Sequence, residues 1–198
     1  MYLRCPVCHL IFVPPAYFLS PSAEKAEYDL HQNSPMDQGY RRFLSRLFEP
    51  MNERIPPQSH GLDFGSGPGP TLSLMFEEAG HTVTIYDKYY APEVATLGQT
   101  YDFITASEVV EHLHTPQIEL KQLWSALRPN GTLGIMTKLA LDQAAFSRWH
   151  YKNDLTHVSF FSRETFAWLG KEWDAEIEFV GSDVTLFRKP PSLSLNEG

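Results

Sequence analysis

Residues 62–70, LDFGSGPGP, set three glycines and two prolines directly behind a short apolar run that carries one acid. Gly65, Gly67 and Gly69 let the chain turn sharply from a strand into a helix. They also leave no Cβ atoms in the way, so a ligand can lie against backbone N–H groups at the start of that helix. What the loop lacks narrows the choice of ligand. A nucleotide-phosphate loop needs G-x-x-x-x-G-K-[ST], and no lysine follows here. The dinucleotide pattern G-x-G-x-x-G is unmet too, because residues 65–70 space their glycines by two and put Pro68 and Pro70 where a helix would open onto a pyrophosphate. Asp63 lies just before the loop, and Asp87 follows 24 positions later, close to the separation at which an acid meets ribose hydroxyls. A carboxylate beside such a loop suits a cationic ligand with an amino group.

On both sides of this loop strands and helices alternate. Tyr40, Phe43, Leu44 and Leu47 recur at helical spacing within 23–48, and NSP at 33–35 divides that segment into two helices. After the linker PPQSH come a strand at 61–64, a helix at 71–80 and the β-branched run HTVTIYD. YDFITASEVV is a further strand. TPQIELKQLWSALRPNG is a helix with Thr115 as its N-cap and Pro116 at its first position, and TLGIMTK is the next strand. SRETFAWLGKEW is a helix capped by Ser162, and a hairpin follows that turns at Gly181 and Ser182. The pattern predicts an α/β fold of three layers: a doubly wound, mostly parallel sheet that ends in an antiparallel hairpin. Three segments are expected: an irregular head at 1–22, a helical lid at 23–55, and a Rossmann-like domain at 56–198.

Composition restricts the partners. The formal charge is −8, with Asp+Glu 24 against Lys+Arg 16, so no basic surface announces a nucleic acid or an anionic membrane. No apolar run is long enough to span a bilayer, and the N-terminus has no signal-peptide pattern, which together predict a cytoplasmic protein.

LDFGSGPG, IYD, YDFITASEVVEHL and LRPNGTLGIMT, in that order, resemble the successive motifs of class I S-adenosylmethionine-dependent methyltransferases of the small-molecule type. The resemblance is strong over 61–137. It implies that the segment from Gly65 through Ser66, Gly67 and Pro68 to Gly69 approaches the methionine part of S-adenosylmethionine, and that S-adenosylhomocysteine is the product. It also implies Asp63 near the amino end, Asp87 on the ribose, and Ser107 and Glu108 beside the methyl-transfer centre. Tyr28 and His31 look like the residues that cover the cofactor in related enzymes. One departure stands out. Only residues 88–101 separate Asp87 from Asp102, where the family fits a helix and another strand. That strand is expected to be short or missing, which leaves adenine to Lys88, Tyr89 or backbone groups.

Three further sets of residues are candidates for chemistry. His157, with Asp154, follows the strand that ends near Thr137 and is a candidate general base for an acceptor hydroxyl; His112 is its rival. Asp154 and His157 would equally cap a turn and satisfy each other. Glu108, Glu111 and His112 would share one face of a helix and could hold a metal, but the second histidine of H-E-x-x-H is absent, so a strand-end turn is preferred. Cys5 and Cys8, spaced C-x-x-C, resemble one knuckle of a zinc ribbon; His9 and His31 are the candidate partners for zinc. The expected activity is methyl transfer to a small-molecule acceptor, because the turn after TASE lacks the [ND]-P-P-[YF] pattern associated with exocyclic base amines. A cofactor-binding regulatory or scaffold protein, and a zinc-ribbon interaction module on a degenerate domain, are the alternatives.

Overall fold

The computed structural model describes residues 1–30 and 34–192. The chain begins with two short strands, β1 (Leu3–Arg4) and β2 (Ile11–Phe12), joined by the Cys5–Cys8 turn. In α1 (Pro21–Tyr28) the Ser20 hydroxyl accepts the Ala23 N–H and Pro21 takes the first helical position, where its missing N–H costs nothing. In α2 (Gln38–Asn52) the Asp37 carboxylate accepts the N–H groups of Gly39 and Tyr40. Leu44, Leu47 and Met51 form the buried stripe of α2.

The remaining elements are β3 (His60–Phe64), α3 (Thr71–Glu78), β4 (Thr82–Tyr86), β5 (Tyr101–Ser107), α4 (Pro116–Ala126), β6 (Leu127–Met136), α5 (Gln143–Arg148), β7 (Ser159–Phe160), α6 (Arg163–Glu172), β8 (Glu176–Val180) and β9 (Val184–Arg188). Six of the strands form the central sheet, in the order β4-β3-β5-β6-β9-β8. The first four are parallel to one another, and β9 and β8 close the sheet antiparallel. Leu44, Leu47 and Met51 of α2 pack with Leu72 and Phe76 of α3 in one core cluster. Leu120 and Leu123 of α4 pack with Phe166 and Leu169 of α6 in another. The result is the expected three-layer α/β fold. From β3 the chain moves outward to β4 and then crosses back to β5. The strand order therefore reverses beside β3, where such sheets leave a crevice at the carboxyl ends of their strands.

Two local expectations are corrected. The head is not irregular: β1 and β2 pair antiparallel, and β2 pairs with β7 through Ile11–Phe160 and Phe12–Ser159, so a three-stranded sheet ties the N-terminus to the body. Thr115 stands at the N-cap of α4 as expected, but its hydroxyl accepts no backbone N–H; its own N–H and hydroxyl donate to the Glu119 carboxylate one turn on. The short connection after Asp87 contains a 3-10 turn at Val94–Gly98 and no strand, so β4 is the edge of the sheet. The division of the first helical segment falls partly on 31–33, outside the described residues.

Leu47 is fully buried between α2 and the sheet. Leu47→Ala should destabilise the fold by about 2–5 kcal/mol, seen as a lower urea midpoint with an unchanged m-value.

Candidate functional site

The carboxyl ends of β3, β4 and β5 open onto a cavity of about 590 Å³, within the size range of small-molecule sites. The glycine loop is one wall. Gly65 and Ser66 both donate their N–H groups to the Tyr86 carbonyl, at 2.8 and 3.3 Å, which folds the loop back onto the end of β4. Gly65 has φ +75°, and a Cβ there would stand 2.3 Å from Val109 Cγ2, so only glycine lets the turn after β5 approach. Gly67, at φ +64°, has nothing within 4 Å of where its Cβ would be. Between them, the buried Ser66 Oγ has no hydrogen-bond partner among the described residues. A buried hydroxyl without a partner is costly unless a ligand supplies one. An open glycine loop with such a hydroxyl fits the polar amino-acid end of a sulfonium cofactor.

Asp87 joins this wall to the next one. Its Oδ2 accepts the Gly67 N–H at 2.9 Å, while Oδ1 accepts the N–H groups of Tyr89 at 2.8 Å and Tyr90 at 3.1 Å. Helix α1 covers the cavity from above. Glu24 is only 3% exposed; its carboxylate accepts the hydroxyls of Tyr28 and Tyr89 and pairs with Lys88 at 3.0 Å. Burial alone would raise its pKa, but these partners outweigh it and hold the group below the usual carboxylate range.

The far end of the cavity is built by the turns after β5 and before β7. Glu108 sits at φ +51°, sterically unfavourable for a side-chain-bearing residue, and its N–H is fixed to the Met136 carbonyl at 2.7 Å. Burial, then the nearby Glu111 charge, push its carboxyl up to about 8. Glu111 is 1% exposed, and its carboxylate accepts the hydroxyls of Tyr151 and, at 2.9 Å, Thr137. His112 Nδ1 lies 3.2 Å from the Thr156 carbonyl, and His157 Nδ1 lies 2.7 Å from the Tyr151 carbonyl. A carbonyl can only accept, so both Nδ1 atoms carry the proton. The two imidazole rings meet edge to face at 4.7 Å. Burial, then the His112 charge, depress the His157 pKa. Asp154 gives its Oδ1 to the Thr156 N–H and hydroxyl and turns Oδ2 toward His157 Nε2 at 3.7 Å, so it caps the turn and faces the histidine as well.

Of the residues singled out from the sequence, Tyr28, Gly65, Ser66, Gly67, Pro68, Asp87, Lys88, Ser107, Glu108, His112, Asp154 and His157 all line this one cavity. Gly69 does not line it, and neither does Asp63, which is buried and bonded to the Thr105 hydroxyl at 2.9 Å. Asp63 therefore braces β3 against β5 behind the loop. His31 lies outside the described residues. Cys5 and Cys8 are free thiols, and among the described residues no third histidine, cysteine or carboxylate joins them as a metal-binding group, so zinc finds no support there. Glu24 and Tyr151 line the cavity without having been anticipated. A glutamate in an exposed-looking helix and a tyrosine in an aromatic run carry no signal until the chain folds.

The methyltransferase domain family matches residues 32–178. The chain belongs to that family. The methyltransferase resemblance drawn from the ordered motifs therefore holds. No curated protein matches the chain significantly. Among solved structures, an O-methyltransferase family protein from Burkholderia thailandensis aligns with a TM-score of 0.61 at 12% identity, covering 86% of this chain and 60% of its own. This methyltransferase domain thus spans about three-fifths of that protein. The 1,6-didemethyltoxoflavin-N1-methyltransferase of the same organism, solved with 1,6-didemethyltoxoflavin and S-adenosylhomocysteine, aligns at 0.54 and 17% identity over 94% of this chain and 98% of its own. A Pyrococcus horikoshii protein aligns at 0.56 and 18% identity, covering 84% and 99%. At these identities the likeness is one of fold. Among the described residues no helix is long and apolar enough to cross a membrane.

Burial raises the Asp63 carboxyl to about 6, against the opposing hydrogen bonds from Thr105 and the Ser73 N–H. The folded domain then holds a proton that the unfolded chain has already released between pH 4 and 6. The associated stability is complete below about pH 4 and is lost as the pH rises through 6. Relative to Asp63→Asn, the parent should lose on the order of 2–3 kcal/mol across that window. Urea titrations of both proteins at pH 4.5 and 7 measure the difference.

Proposed function

We propose that the cavity binds S-adenosylmethionine against the glycine loop and that the domain methylates a small-molecule acceptor held at the Glu108–His112–His157 end. The carrying observation is the Asp87 carboxylate, which lies at the carboxyl end of β4, fixes the Gly67 N–H and still faces the cavity. In this reading the Ser66 hydroxyl and the loop receive the methionine part of the cofactor, and Asp87 takes the ribose hydroxyls. Lys88 is engaged by Glu24, so adenine is left to apolar contact with Leu97 and to backbone groups beside it. Tyr28 and Glu24 on α1 close the cavity over the cofactor. A small acceptor is supported by the size of the cavity and by the acidic balance of the chain, and two free thiols accord with a cytoplasmic place.

The bound cofactor supplies a methyl group on a sulfonium, which is already a good leaving group. The chain's own task is alignment of the acceptor and disposal of its proton. Three carboxylates, those of Glu108, Glu111 and Asp154, and the two histidines stand where that proton leaves.

Calorimetry should find one S-adenosylhomocysteine per chain, and Asp87→Ala should weaken its binding by about 10- to 100-fold through loss of charge-assisted hydrogen bonds. An intact protein that binds no S-adenosylhomocysteine would overturn this reading.

With an acceptor found by turnover of labelled cofactor in a metabolite extract, His112→Ala and His157→Ala should each lower kcat at least about tenfold while cofactor affinity stays within about a factor of two. Because burial depresses the His157 pKa, the parent rate should rise with pH through an inflection below about 6.5. Normal turnover by both variants would assign the segment a packing role.

A further inference from the structure

Glu111, His112 and His157 each present one ligand atom within 4.8 Å of those of the other two. Two histidines and one carboxylate on a cavity wall form a donor set with a well-defined chemistry. Imidazole nitrogen and carboxylate oxygen together suit first-row divalent cations, and three protein ligands leave a position open to substrate. The surroundings match what a metal needs from its second layer. Metal-binding histidines usually donate their other N–H to a carbonyl or carboxylate, which fixes the ring and turns the lone pair on the opposite nitrogen to the metal. Both histidines do so here: Nδ1 of His112 to the Thr156 carbonyl and Nδ1 of His157 to the Tyr151 carbonyl. The Glu111 carboxylate is itself oriented by the hydroxyls of Tyr151 and Thr137, which leave each oxygen a second lone pair. Asp154 and Glu108 face the same space and add two further carboxyl groups around it.

We propose that Glu111, His112 and His157 form a binding site for a first-row divalent transition-metal ion at the acceptor end of the cavity. Bond lengths of about 2.0–2.2 Å place tetrahedral ligands about 3.3 Å apart, so the ion draws these groups together by roughly 1–1.5 Å. The open position faces the cavity and takes an oxygen of the methyl acceptor. With the ion bound, His112 and His157 are its ligands instead of bases, and coordination itself lowers the pKa of the acceptor hydroxyl, as it does for bound water. The acceptor O–H bond then breaks with the proton passing to solvent, and a new O–CH3 bond forms as the old S–CH3 bond leaves its electron pair on sulfur. This role in turnover rests on the methyl-transfer reading above; metal binding itself does not.

Cobalt(II) is the probe, because its visible d–d absorption reports nitrogen and oxygen ligation directly. The protein is the full chain without an affinity tag, stripped with chelator and carrying Cys5→Ser and Cys8→Ser so that thiolates cannot bind the ion. One cobalt per chain is expected, with the absorption of a four- or five-coordinate site. His112→Ala and His157→Ala should each weaken binding at least about tenfold. Glu111→Gln should do the same, but it disturbs a buried carboxylate, so the two histidine variants decide. S-adenosylhomocysteine titrations of the same samples, expected within about a factor of two of each other, show that each variant is folded. Cobalt binding without S-adenosylhomocysteine binding in the parent would sink the methyl-transfer reading and support the metal site. Absence of cobalt binding at millimolar concentration, or binding unaffected by both histidine variants, would overturn the site.

Discussion

The Asp87 carboxylate accepts three backbone N–H groups, one from the glycine loop and two from the turn after β4. Each is a charge-assisted hydrogen bond, roughly twice as strong as a neutral one. Without that anion the Gly67, Tyr89 and Tyr90 N–H groups would lose their common acceptor, and the glycine loop and the turn after β4 would have no fixed relation. The constraint spreads outward from there. Once Tyr89 and Lys88 are placed, their hydroxyl and ammonium fix Glu24, and Glu24 fixes α1 over the cavity. A chain of polar contacts thus runs from the edge of the sheet to the covering helix.

That arrangement also accounts for the missing outer strand. In a longer connection after β4, another strand would shield this edge. Here residues 88–100 run as a short turn with a single 3-10 segment, and α1 reaches the turn directly through Tyr89, Tyr90 and Lys88. The N-terminal head is secured in a similar way at the opposite end of the site. β2 pairs with β7, immediately after His157, and Tyr2 packs edge to face on Phe146 and Phe160. The segment that carries His157 therefore cannot shift without disturbing the head.

The two ends of the cavity differ in their electrostatics. The loop end is held by backbone N–H groups and a carboxylate already supplied with donors. The other end gathers Glu108 on a strained backbone, the buried Glu111 and the two histidines. Glu108 and Glu111 each raise the cost of ionising the other, and burial adds to it. Such a cluster is expensive to maintain in an empty fold, and sites of this kind are where binding and proton transfer concentrate.

The architecture and the glycine-loop wall of the cavity could be read from the sequence because both depend on local rules. Alternating periodicity, helix-starting Pro116, the cap at Ser162 and the glycine spacing at 65–69 each act over a few residues. Even the missing strand was visible, since residues 88–101 are too few to hold it. The sequence did not show which way Asp63 faces, because a strand residue's face toward cavity or core depends on the pleat and on its neighbour Thr105. It also misjudged the head, whose strands exist only through pairing with Ser159 and Phe160, nearly 150 residues away. At the other end of the cavity the sequence offered Glu108, His112, Asp154 and His157 as separate candidates, and only the tertiary structure brought them together. The histidine that H-E-x-x-H spacing sought near Glu111 arrives as His157 from another connection, and the carbonyls that orient both rings come from Tyr151 and Thr156. Spacing along a chain reveals neighbours on one helix or loop; groups brought together by long-range packing become neighbours only when the core has formed.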